Sequence, residues 1–381
     1  MKIVIAPQGF KGSLTALQVA LAIETGVRRV VPDAETLLVP AADGGDGTLQ
    51  ALVDSSGGSV EMATVSDPLG RPVEAAWGAM GDGKTAVIEM ARASGLALLS
   101  LDELDPLNST TYGTGELFRA ALDAGYRRFI VGIGGSATND GGAGLAQALG
   151  ISLLDADGDE LPRGGAALAR IDRVDMSNFD ERLRGAEVTV ACDVNNPLCG
   201  DDGASAVFGP QKGATPESVK QLDAALTRFA DVVERDLDVA VRLRPGAGAA
   251  GGLGAGLMAF LNARLTAGVD IVLDAIGLDD ALDGADLVIT GEGRIDHSTI
   301  FNKTPVGVAE RAKKRAIPVL AIAGSLGEGY RETHDKGIDA AFPLVSGPMS
   351  LDDAIANAAD LLVGVAEEIM RTVLIGQAIR S

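Results

Sequence analysis

The chain has 381 residues, too many for one ordinary hydrophobic core, so two domains are expected. Its 32 basic and 53 acidic residues leave a formal net charge of −21, which excludes nucleic acid and anionic membrane surfaces as partners. Hydrophobic residues make up 46%, aromatics only 3%, and Gly numbers 50, about twice its usual share, the texture of a well-buried α/β enzyme with many ligand-facing turns.

In chain order, Lys2–Ala6 is apolar and β-branched and reads as a first strand. It opens on Gln8–Ser13, and a helix follows over 14–31, with apolar residues at helical spacing. Thr36–Val39 is a second strand, Ala42–Gly47 the loop after it, and Thr48–Asp54 a second helix that stops at Gly57. The texture then changes. Ser59–Ser66, Arg71–Met80 and Lys84–Ala91 form an antiparallel meander broken by Asp-Pro-Leu-Gly and Gly-Asp-Gly turns. A helix from Tyr112 through Ala124 leads to the strand Arg128–Ile133, the glycine-rich stretch Gly132–Gly144 and a short helix over Leu145–Gly150. Glu187–Ala191 is a buried strand, Glu217–Val239 a long amphipathic helix, and Pro245–Gly256 a second glycine-rich segment entering a helix through Leu265. From Ala285 the βα alternation resumes. Leu287–Thr290 is a strand ending in the loop Gly291–Asp296, Thr304–Arg315 a helix with Pro305 in its first turn, Pro318–Ala323 a strand ending at Gly324 and Ser325, Ala340–Leu344 a strand, and Leu351–Leu374 a terminal helix.

The two ends of the chain together supply five βα units. They predict a flavodoxin-like, doubly wound parallel sheet of order 2-1-3-4-5 built from 1–58 and 285–381, interrupted by a second, mixed α/β domain over 59–284. Such a sheet binds ligands at the carboxyl ends of its strands, where the order reverses, and the active site is expected in the cleft between the domains. The uncharged Pro245–Leu261 stretch is too weakly apolar to span a membrane, and Met1–Pro7 is too short for a signal-peptide core. Cys192 and Cys199 are the only cysteines and read as free thiols, consistent with a cytoplasmic protein. Two His residues, His297 and His334, leave little room for a His-based metal site or a Ser-His-Asp triad.

The candidate chemistry lies in the segments after strands. An acidic chain that handles an anion needs local cations, and Lys11, Arg294, Lys303 and Lys212 are the candidates. Lys11 and Ser13 stand at a helix start, where a cation is disfavoured unless an anion binds. Asp43 and Asp46 on a glycine-rich turn suit Mg²⁺ ligation or proton abstraction from a hydroxyl; an N-cap is the plainer account of Asp46. Gly291–Asp296 supplies Glu292, Arg294 and Asp296 beside Gly291 and Gly293, either as a structural ion-pair net or as a metal and phosphate site. Asp193 follows a buried strand directly, with Asn195 beyond it. In Gly132–Gly144, Gly134, Gly135 and Gly141 let the backbone approach a ligand, and Ser136, Thr138, Asn139 and Asp140 line a helix entrance as an anion cradle. The plainer alternative is a tight βα turn. Carboxylates, a few cations, glycine-rich cradles and no nucleophile–His pair fit phosphoryl transfer better than hydrolysis or hydride transfer, because that reaction mainly needs positioning, charge neutralisation and a base.

Taken together the motifs resemble the bacterial type-one glycerate kinase family, essentially end to end. The matching runs include Phe10–Leu14, Ala42–Thr48, Tyr112–Glu116, Gly132–Gly150, Ala191–Val194, Asn196–Gly200, Phe208–Ala214, Pro245–Gly256, Thr290–Asp296 and Lys303–Gly307. The resemblance implies ATP- and Mg²⁺-dependent phosphorylation of D-glycerate, with 2-phosphoglycerate as the usual product; separately, a monomer or a homodimer is expected. Under it, Arg294 or Lys11 holds the substrate carboxylate, Asp193 or Asp43 serves the accepting hydroxyl, and Asp296 or Glu292 holds Mg²⁺. The alternatives are a kinase of another short hydroxy or sugar acid, or a non-catalytic two-domain sensor.

Overall fold

A computed structural model describes residues 1–10, 12–41, 49, 52–53, 56–301, 303–345 and 347–380. Lys11, the turn carrying Asp43 and Asp46, and most of the helix expected over Thr48–Asp54 lie outside the described residues. The chain divides into two compact units, one of Met1–Ala51 with Val269–Ser381, the other of Leu52–Gly268. Each has its own apolar core.

The first unit is built on a five-stranded, all-parallel sheet. Its strands are β1 (Lys2–Pro7), β2 (Glu35–Leu38), β11 (Leu287–Ile295), β12 (Val319–Leu326) and β13 (Ala340–Pro343), in spatial order β13-β12-β11-β1-β2. Numbered within the unit, that is the predicted 2-1-3-4-5 order, and all four pairings are parallel. The helix Ala16–Val30 begins two residues later than its apolar pattern, because Thr15 and Gln18 form a reciprocal capping box: Gln18 N–H donates to Thr15 Oγ1 at 3.2 Å and Thr15 N–H to Gln18 Oε1 at 2.9 Å. It packs Val19, Ile23 and Val27 with Leu362, Ala366 and Met370 of the helix Ala358–Arg380. The terminal segment is two helices, Leu351–Ala356 and Ala358–Arg380, not one. The helices Gly268–Ala275 and Leu278–Leu282 belong to this unit. The buried guanidinium of Arg311 ties them in, reaching Asp270 at 3.0 Å, Asp274 at 2.5 Å and Asp279 at 2.7 Å.

β11 departs from expectation. The predicted loop Gly291–Asp296 continues the strand to Ile295, paired with β12 as far as Ile295↔Leu326. Glycine weakens a strand in isolation, but here it permits close pairing. A Cβ on Gly291 would lie 2.1 Å from Ile322 O, and one on Gly324 2.4 Å from Gly293 O. Gly324 and Ser325, expected beyond the strand end, are likewise inside β12.

The second unit carries a six-stranded mixed sheet. The expected meander is β3 (Ser59–Ser66), β4 (Pro72–Ala79) and β5 (Thr85–Glu89), with antiparallel pairing. β5, β6 (Arg128–Gly132), β9 (Glu187–Ala191) and β10 (Arg264–Thr266) then run parallel. The helix expected to run through Leu265 stops at Leu261, and Arg264–Thr266 becomes β10, because β9 offers it a partner edge. A small antiparallel pair, β7 (Ser152–Leu154) and β8 (Arg173–Asp175), lies outside the main sheet. Phe118 against Phe129 at 4.9 Å and Phe229 against Phe260 at 6.0 Å anchor the core. No helix among the described residues is long and apolar enough to cross a membrane.

Candidate active site

In the second unit, parallel β6 and β9 lie side by side with Gly132 opposite Ala191, so the segments after them leave the sheet at the same edge. One carries Gly134–Gly141, the other Asp193 and Asn195. Gly134 and Gly135 are exposed, as are Asp193 and Asn195. Asp193 is oriented by the Gly268 N–H, which donates to its Oδ1 at 2.9 Å.

The rest of the glycine-rich stretch turns inward. Ser136 is buried, and Thr138, Asn139 and Asp140 are fully so. The helix after them, Ala143–Ala148, is one and a half turns long. Its entrance does attract an anion, but the anion is internal. Asp140 accepts the N–H groups of Gly142 and Gly144, both at 3.1 Å. It also accepts Thr111 N–H at 2.8 Å and Thr111 Oγ1–H at 2.9 Å. The expectation that Asp140 lines an open cradle is therefore corrected: its carboxylate fills that cradle. Burial pushes the Asp140 carboxyl up, against the Thr111 and glycine bonds that pull it down.

Lys212 is the cation of this network. Its ammonium is buried, donating to Ser136 Oγ at 2.8 Å and to Thr138 O at 2.6 Å. Desolvation drags it down to about 7, with the attraction of Asp140 working the other way. Asn139 Nδ2 donates to Ser205 Oγ at 2.9 Å, while Asn139 Oδ1 and Thr138 Oγ1 are buried without a partner among the described residues. Lys212 thus grips the stretch from inside and leaves only its tip, Gly134–Gly135, facing out.

The second glycine-rich segment is its backing. Gly251 sits at φ +67°, and Gly141 N–H donates to Gly251 O at 3.0 Å. A Cβ there would lie 2.0 Å from Thr138 O. Gly251→Ala is expected to abolish folding of this unit, combining a backbone collision with left-handed strain of about 1 kcal/mol or more. Soluble yield and chemical unfolding of the purified variant check it; a wild-type unfolding midpoint would refute the tight-backing account.

In the first unit the candidate groups gather at the carboxyl ends of β1 and β11. Gln8 N–H, just past β1, donates to Gly291 O at 2.7 Å. Glu292 is buried at the end of the apolar part of β11. It accepts the Thr299 hydroxyl at 2.7 Å, and Lys303 Nζ lies 3.9 Å from its other oxygen. Gly293 follows, then exposed Arg294, whose Nε donates to Asp296 Oδ2 at 3.0 Å. Asp296 caps the short turn His297–Ile300 and accepts Ser298 Oγ–H at 2.5 Å and Ser298 N–H at 2.9 Å. The Ser298 hydroxyl and N–H hold its carboxyl below the usual range. Lys303 immediately precedes the helix Thr304–Lys313. Ser13, expected near this group, donates its hydroxyl to Ile355 O at 3.2 Å. Lys11 and Asp43 are outside the described residues.

The sequence reading missed Thr111, Ser205 and Thr299, the partners of Asp140, Asn139 and Glu292. Only Thr299 left a local trace, as the third residue after a capping Asp. Among the described residues no three His, Cys, Asp or Glu side chains converge as a metal centre. Of the described carboxylates in this group, buried Glu292 fits Mg²⁺, which commonly takes one or two protein carboxylates and completes its shell with phosphates and water. Asp296 fits less well, with its oxygens engaged by Ser298 and Arg294.

The glycerate kinase family model matches residues 3–374. The chain is 54% identical to a glycerate kinase of Haemophilus influenzae, over 97% of this chain and 98% of that protein. It is 50% identical to the glycerate 2-kinase of Escherichia coli K12, over 99% of both. The crystal structure of a Salmonella typhimurium LT2 protein, given as a candidate glycerate kinase 2, matches with a TM-score of 0.87, 51% identity and 99% coverage of both chains. The five-stranded parallel sheet, the second mixed sheet and this end-to-end likeness lead to one conclusion: the chain belongs to the glycerate kinase family.

Proposed function

We propose that the chain transfers the γ-phosphoryl group of ATP to the 2-hydroxyl of D-glycerate, giving 2-phosphoglycerate, with Mg²⁺ as the accompanying ion. The observation that carries this reading is the match along the whole chain, at 50% identity, to a protein named glycerate 2-kinase. The side-chain chemistry agrees with it. Glu292 supplies the buried carboxylate that holds the ion, which when bound neutralises charge on the transferring group. Lys303 receives phosphate oxygens. Asp193, fixed through one oxygen by Gly268, keeps the other for the accepting hydroxyl and takes its proton. Arg294 offers two N–H donors to a carboxylate. The exposed Gly134–Gly135 tip, held by Ser136 and Lys212, bears on substrate oxygens. Cys192 and Cys199 stand unpaired, consistent with a reducing, cytoplasmic setting.

The test is turnover of the purified chain with ATP, Mg²⁺ and a panel of short hydroxy and sugar acids, with the phosphorylated carbon assigned by NMR. D-glycerate giving the 2-phosphate with the highest kcat/KM is the expected result. A better substrate in the panel reassigns the acceptor, and no ATP consumption with any acid refutes the kinase reading.

A further inference from the structure

The chain has nine Phe, three Tyr and one Trp. All thirteen are among the described residues, and of them Phe301 alone is exposed, at 66%. A single exposed apolar side chain is ordinary. Three circumstances set this one apart. It stands just past the carboxyl end of β11, the middle strand of the parallel sheet, where open α/β sheets take their ligands. It lies two residues before Lys303, the cation beside Glu292. And its neighbour is another ring: His297 meets Phe301 edge to face, with centroids 5.3 Å apart and planes at 79°.

His297 is fixed at two points. Its N–H donates to Glu328 O at 2.9 Å, and its Nδ1 lies 2.8 Å from Glu332 Oε2. An edge-to-face contact occupies one face of one ring and braces the other, so Phe301 is positioned and still presents a flat apolar surface to water. A nucleobase is the flat ligand that such a ring stacks, at little cost in ordering. Two residues of chain reach about 7 Å at most, which keeps Phe301 and Lys303 within the span of one nucleotide.

We propose that Phe301, braced by His297, is the stacking platform for the adenine ring, with the phosphates directed to Lys303. This rests on the ATP-dependent reading above and adds the residue that recognises the base. The alternative, that Phe301 is an idle surface side chain, makes opposite predictions for base and phosphate binding.

Calorimetric titration of the full chain with ADP, and separately with inorganic pyrophosphate, tests it. Phe301→Ala should weaken ADP binding about 5- to 150-fold, leave pyrophosphate binding unchanged and keep the wild-type circular dichroism spectrum. Phe301→Trp should restore ADP affinity. Wild-type ADP affinity in Phe301→Ala overturns the proposal, and so does an equal loss for ADP and pyrophosphate, which would place the damage at the phosphates. In both cases glycerate turnover by the unmodified chain leaves the kinase reading standing. Absence of ADP binding to the unmodified chain would instead bring down that reading, and the platform with it.

Discussion

Glu292→Gln should lower kcat with ATP and D-glycerate about 10²- to 10³-fold and leave the unfolding midpoint close to wild type. The carboxylate is buried and accepts the Thr299 hydroxyl at 2.7 Å. A glutamine of the same shape still offers an oxygen to that hydroxyl, so the packing and the bond persist. What is lost is the charge. Removing one well-placed electrostatic contact to developing charge costs about that much in other enzymes, and a lost Mg²⁺ ligand adds a higher Mg²⁺ requirement. The readouts are kcat, the Mg²⁺ dependence of the rate and a thermal melt. Asp296→Asn is the contrast. Its carboxylate is spent on Ser298 and Arg294, so it should cost turn stability more than turnover. Wild-type kcat in Glu292→Gln would move the ion to other carboxylates, Asp43 and Asp46 first.

The second large effect concerns Lys212, and its signature is in pH. A lysine at about 7 in the folded chain and near 10.4 when unfolded is bound to more protons in the unfolded state throughout that interval. Stability therefore rises with pH from about 7 to about 10, by up to about 1.4 kcal/mol per unit, and is flat in this group below 7. Lys212→Met deletes the slope. Removing the ammonium also leaves Asp140 buried without its cation, so the variant should be less stable than wild type at pH 7, by about 3 kcal/mol or more. Its activity should fall at least tenfold under conditions where it is folded, since Ser136 Oγ and Thr138 O lose their common donor and the Gly134–Gly135 tip loses its anchor. Urea unfolding at several pH values, paired with kcat, checks both halves. A Lys212→Met chain that keeps the alkaline slope refutes the burial argument, and one that keeps full activity refutes the anchoring role.

How much of this was legible in the sequence follows from the range of the forces involved. The 2-1-3-4-5 sheet and the β3–β5 meander were readable because periodicity, turns and caps are local. The course of β11 past Gly291 was not, because its strand character comes from β12, more than thirty residues on. Asp140 looked like a ligand group because its neighbours in sequence are glycines and short polar residues. Beside the local N–H groups of Gly142 and Gly144, its partners are Thr111 and the network with Lys212, from segments about 30 and 70 residues away. Burial reversed the meaning of a correctly located charge. For Asp193, by contrast, position just after a strand was the informative signal, two residues past β9, whereas Glu292 falls inside β11 and Lys303 at the start of the helix Thr304–Lys313.

The sheet of the first unit joins β1 to β11, with the Thr290 hydroxyl donating to Ala6 O across 284 residues of chain. On a ribosome adding about 5–20 residues per second, those two partners are made roughly 15–60 s apart. When residue 268 has been polymerised, the whole second unit exists with its own core, while its host holds only β1 and β2 of five strands. Biosynthesis therefore imposes an order. The inserted unit is free to fold first, and the nascent β1 edge waits unpaired, a natural place for a chaperone to bind and for premature termination to expose a sticky strand.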